Sequence, residues 1–79
     1  MEIKIFEQVC WGGSKLAPIV DEALTKLDLD YDFDIIGDIP SIANAGIMNP
    51  PALMINGKIK TSGKIPSINE VLEAIKEEI

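Results

Sequence analysis

Seventy-nine residues allow one domain, and 47% hydrophobic with 25% charged residues is the balance of a folded chain, too apolar for a disordered one. Thirteen acids against seven bases leave a net charge of -6, which argues against nucleic acid or an anionic membrane as partner, since both need a basic face. No His and a single Cys exclude His-based catalysis, a His-ligated metal and an internal disulfide, and one thiolate cannot hold a zinc ion or an iron–sulfur cluster alone.

The opening Met1-Glu2-Ile3-Lys4-Ile5-Phe6 lacks the basic start and long apolar stretch of a signal peptide. No apolar run approaches the roughly 20 residues of a membrane span, so the expected location is the cytoplasm. Ile3 and Ile5 alternate with Glu2 and Lys4, which predicts a strand over 2–6. A loop over 7–13 ends in Gly12-Gly13. Leu16, Ile19, Val20, Ala23, Leu24 and Leu27 then recur at offsets of three and four, the apolar stripe of an amphipathic helix. Tyr31, Phe33 and Ile35 alternate with Asp30, Asp32 and Asp34, a second strand with one face buried. Asp38 is placed to cap a short helix over 39–45, with Gly46 at its end.

Residues 52–55 and 58–62 flank Asn56-Gly57, the pair that a type I′ hairpin turn demands. Ser67-Ile68-Asn69-Glu70 is a capping box, and Ile68, Val71, Leu72, Ile75 and Ile79 form the stripe of a last helix. The order is β-α-β-α-β-β-α. A helical crossover makes the first two strands parallel and right-handed, and the last two are an antiparallel hairpin. This order predicts an α/β fold with a four-stranded mixed sheet and helices on both faces, as one domain over 1–79.

Chemistry is concentrated in Cys10. It lies in the loop before the first long helix, where free amides and the helix dipole are expected to stabilise a thiolate and bring its pKa below the free-thiol value of about 8.5. The bland alternative is a small buried hydrophobe. Trp11 offers a flat apolar platform for a partner peptide, and Gly12 and Gly13 let a partner backbone approach. Pro50 and Pro51 precede the third strand as a rigid lead-in. The acids at 28, 30, 32 and 34 imitate a calcium loop, but Phe33 or Ile35 stands where Gly is needed and Ile39 or Ser41 where Glu is needed. They read as the wet face of an edge strand.

The stretch Cys10-Trp11-Gly12-Gly13-Ser14-Lys15-Leu16-Ala17-Pro18-Ile19-Val20-Asp21-Glu22 resembles the active-site loop and first helix of thioredoxins, commonly C-G-P-C-K-x-x-A-P-x-x-D-E. Pro51-Ala52-Leu53-Met54-Ile55-Asn56-Gly57-Lys58 is similar to that family's cis-proline and central hairpin, and Gly63 matches the glycine ending its fourth strand. Length and element order are closest to the small thioredoxin- or glutaredoxin-like redox proteins. The resemblance implies a thioredoxin-like fold, Cys10 as nucleophile, and a binding surface of Trp11, Gly12, Gly13, Pro50 and Pro51. The departure is Gly13, which stands where the family has its second, resolving cysteine. Pro50 also replaces a residue whose own N–H is free to pair with substrate.

The expected function is thiol–disulfide exchange through one cysteine, with an external thiol such as glutathione completing each turnover. The expected partner is a protein or a low-molecular-weight thiol or disulfide, with neither cofactor nor metal, and the protein is expected to be a monomer. The alternatives are a non-catalytic binding module that kept the groove and lost turnover, and an iron–sulfur cluster shared between two copies, as in monothiol glutaredoxins.

Overall fold

The computed structural model describes residues 1–8 and 13–79. Seven elements follow in the order β1 (Ile3–Phe6), α1 (Leu16–Lys26), β2 (Phe33–Ile36), α2 (Ile39–Asn44), β3 (Ala52–Ile55), β4 (Lys58–Ser62) and α3 (Ile68–Lys76). They build one four-stranded sheet in the order β2-β1-β3-β4. β1 pairs in parallel with β2, Ile3 opposite Phe33 and Phe6 opposite Ile36, while the β1–β3 and β3–β4 pairings are antiparallel. This is the mixed sheet of a thioredoxin-like α/β fold.

Strand alternation divides the core in two. Ile3, Ile5, Leu53 and Ile55 meet Leu16, Val20, Ala23 and Leu24 of α1 and Val71, Ala74 and Ile75 of α3. Phe6 and Ala52 turn to the opposite face and pack with Ile42 of α2 and with Ile47. Helices therefore cover both faces. Among the described residues, no helix is long and apolar enough to cross a membrane.

Local signals account for most element ends. Asp38 accepts the N–H of Ser41 at 3.0 Å and caps α2. Ser67 accepts from the Glu70 N–H at 3.2 Å, with the Glu70 carboxylate reaching back, so the capping box starts α3. Asn56 and Gly57 both have positive φ, 53° and 80°, as a type I′ turn requires. Past that turn a bulge in the β3–β4 register leaves Lys60 without an opposite residue. Its ammonium is thereby turned towards the end of α3, 2.9 Å from the Glu78 carboxylate.

Two expectations are corrected. The second strand is shorter than the alternation from Tyr31 suggests: β2 begins at Phe33, because β1 supplies four residues for it to pair with. Phe33 packs on the core, but Tyr31 and Ile35 are 39% and 44% exposed, since β2 is an edge strand and the helices cover β1 and β3 more fully. At the other end, Ile79 is 74% exposed and does not join the helical stripe, because α3 stops at Lys76.

Candidate functional site

The site is built where β1 ends. Glu7 extends the parallel pairing by one step, its N–H donating to the Ile36 carbonyl at 3.1 Å. Its side chain then turns inward and is 7% exposed, the one buried charged residue among the described residues. A carboxylate taken out of water needs hydrogen bonds to offset the lost hydration. Glu7 finds them at the start of α1. Oε2 accepts the Lys15 N–H at 3.0 Å, and Oε1 accepts both the Leu16 N–H at 3.2 Å and the Ser14 hydroxyl.

Ser14 in turn accepts the Ala17 N–H at 3.0 Å, so it serves as the side-chain cap of α1. Pro18 follows, and it has no N–H to satisfy. The donors that a helix leaves unpaired in its first turn are thus accounted for. Lys15 and Leu16 are bound by Glu7, Ala17 is bound by Ser14, and Pro18 donates nothing. This corrects the premise of free amides waiting for a Cys10 thiolate. The cause lies seven to nine residues upstream of α1 and is invisible to local capping rules.

Facing this corner is the segment before β3. The Pro50–Pro51 peptide bond is cis. Gly63, just past β4, donates its N–H to the carbonyls of Asn49 at 2.6 Å and Pro51 at 3.0 Å, and so holds the proline segment against the strand end. Gly63 has φ +79°, a left-handed conformation that glycine adopts without steric cost. One cavity of about 310 Å³ is lined by Glu7, Gln8, Lys15, Pro50, Pro51 and Ile65. Both chain flanks of the 9–12 segment therefore meet the proline pair in a single depression.

Of the sequence-predicted site residues, Pro50 and Pro51 line this cavity, and Gly13 lies at its edge in sequence, two residues before Lys15. Cys10, Trp11 and Gly12 lie outside the described residues. Gly13 requires a correction. The family likeness puts the second cysteine on the first turn of the helix, but Gly13 precedes α1 and has φ +79° with nothing within 4 Å of an added Cβ. Space is available there and backbone conformation is not. Glu7 is the residue that sequence reading missed. Its only local signal is an acid at the end of an apolar strand, where a solvated side chain is the ordinary expectation. Among the described residues, no three acidic or thiol side chains converge as a metal site would need.

A family model described as "Thioredoxin domain" matches residues 1–76. A protein named thioredoxin from Methanothermobacter thermautotrophicus is 30% identical over 71 residues, which cover 90% of this chain and 92% of that one.

Proposed function

Because the chain belongs to the thioredoxin-domain family, we propose that it carries out thiol–disulfide exchange with Cys10 as its single nucleophile. The observation that carries this reading is the shared cavity: residues 7, 8 and 15, which bracket the cysteine loop, open onto the same depression as Pro50 and Pro51. A partner chain laid along the prolines is then brought beside the loop that bears the thiol. Trp11, Gly12 and Gly13 form the rest of its docking surface. Pro50 offers a carbonyl and no N–H, so main-chain pairing at that point is one-sided.

In the reaction the Cys10 thiolate attacks one sulfur of a partner disulfide. A Cys10–partner disulfide forms, the partner's S–S bond breaks, and the departing thiolate takes a proton from water. No second cysteine exists in the chain to resolve the intermediate. A low-molecular-weight thiol such as glutathione attacks the mixed disulfide, leaves bonded to the partner, and releases Cys10 as thiolate. A monomer suffices for these steps, and a lone cysteine suits a cytoplasmic compartment where thiols are kept reduced.

The test is mass spectrometry of the protein with a peptide disulfide. A mixed disulfide should form at Cys10, disappear on addition of glutathione, and be absent in Cys10→Ser. A second reading, a binding module without turnover, is favoured by the fully occupied first turn of α1, which leaves no amide there for a thiolate. It predicts that Cys10→Ser keeps its affinity for a peptide partner and that the wild-type protein accumulates no mixed disulfide.

A further inference from the structure

We infer that Glu7 is a positioning residue of the Cys10 loop, one that joins the loop's two ends and raises the pH at which the thiol becomes reactive. This inference rests on the exchange reading above for its relevance, although its own measurement needs no disulfide substrate.

The mechanical part follows from connectivity. Glu7 is the last residue of the β1 pairing, and its carboxylate holds Ser14, Lys15 and Leu16. The loop between them therefore has both ends fastened to one buried side chain. A loop fastened at its base loses fewer conformations when a partner docks, so less of the partner's binding free energy is spent on ordering it.

The electrostatic part follows from charge and hydrogen bonding. In the sequence Cys10 comes three residues after Glu7, a separation that extended chain spans in about 11 Å at most. Both Glu7 oxygens accept hydrogen bonds and donate none, as a carboxylate does. Among the described residues no Lys or N-terminal amine forms an ion pair with it. Lys15 is the other charged residue lining the cavity; Gln8, Pro50, Pro51 and Ile65 carry none. A negative charge in this place disfavours a second negative charge on sulfur, and by occupying the first-turn amides it removes the donors that would otherwise favour the thiolate.

The experiment is the pH profile of iodoacetamide alkylation of Cys10, the only cysteine in the chain, at low ionic strength. Wild type, Glu7→Gln and Ser14→Ala are compared, each checked for folding by circular dichroism. Glu7→Gln keeps an acceptor oxygen and loses the charge; Ser14→Ala disturbs the same hydrogen-bond cluster without changing charge. The midpoint should fall by about half a pH unit or more in Glu7→Gln, a threefold gain in rate below the midpoint, and by less than half that amount in Ser14→Ala. The shift should shrink in 0.5 M salt. Equal midpoints in wild type and Glu7→Gln, or equal shifts in the two variants, overturn the inference.

Should Glu7→Gln fail to fold, wild-type protein alkylated at Cys10 with iodoacetate or iodoacetamide carries a negative or a neutral adduct. The negative adduct should unfold at the lower temperature, with the gap closing in salt; identical melting temperatures overturn the inference. Absence of a mixed disulfide in wild type removes the exchange reading and leaves the midpoint comparison standing on its own.

Discussion

The Gly63 N–H lies 2.6 Å from the carbonyl oxygen of Asn49, so the end of β4 is fastened to the segment that carries Pro50 and Pro51. Gly63 reaches this position at φ +79°, and a Cβ built there stands 3.5 Å from the Asn49 Cβ, which is ordinary contact. The restriction is therefore conformational. Gly63→Ala should lower stability by about 1–2 kcal/mol, the cost of holding an L-residue in the left-handed region. Gly63→Asn should lose less, because Asn tolerates that region. Urea unfolding of the two variants measures the difference, and equal losses would point to sterics instead.

Gly13 allows a test in which two conformations predict opposite signs. In the first turn of a helix, replacing Gly with Cys stabilises, since Gly is the poorer helix former by up to about 1 kcal/mol. At the observed φ of +79° the same change should destabilise by about 1–2 kcal/mol. The substitution is best made with Cys10→Ser, so that no disulfide forms and urea midpoints report the backbone alone.

At most helix starts Ser and Asp are equivalent caps, each worth about 1 kcal/mol over Ala. Ser14 is an exception because its hydroxyl donates to Glu7 while accepting from Ala17. Ser14→Ala should cost about 1 kcal/mol. Ser14→Asp should cost more than that at neutral pH, because it replaces a donor with a second carboxylate against Glu7. Thermal unfolding of both variants decides the order. Asp proving the better of the two would mean that the Glu7 contact contributes little.

The end of α3 should report on acid. Lys60, first, and then Asn56 hydrogen-bond the Glu78 carboxyl and hold it below the usual carboxylate range. Side-chain bonds to Lys64 and to Ser41 do the same for Glu70 and Asp38. A lowered folded-state pKa means that the unfolded chain binds the proton more readily. The stabilisation is therefore complete at pH 6–7 and is lost as pH falls through about 4 and below. Melting temperature should drop over that window in wild type and drop less steeply in Glu78→Gln. A Glu78→Gln curve parallel to wild type would show that the pairing with Lys60 carries no stability.

What could be read from the amino-acid order was everything encoded within a few residues: the alternation of Ile3 and Ile5, the α1 stripe, the Asp38 cap, the Asn56-Gly57 turn and the Ser67–Glu70 box. These signals depend on periods of 2 and 3.6 residues and on side chains reaching their own backbone, so they survive without knowledge of the fold. Together with the crossover rule they also determined that β1 and β2 run parallel. The candidate site was legible as a likeness, through Cys10 and the Pro50-Pro51 pair. Its electrostatics were not. That the Glu7 side chain turns into the start of α1, that Gly63 holds Asn49 and Pro51, and that Tyr31 and Ile35 stay partly in water were decided by tertiary packing. Each depends on which segments become neighbours across the sheet. A carboxylate on a strand end is solvated or buried according to what donors the fold brings to it, and the donors for Glu7 belong to a different element.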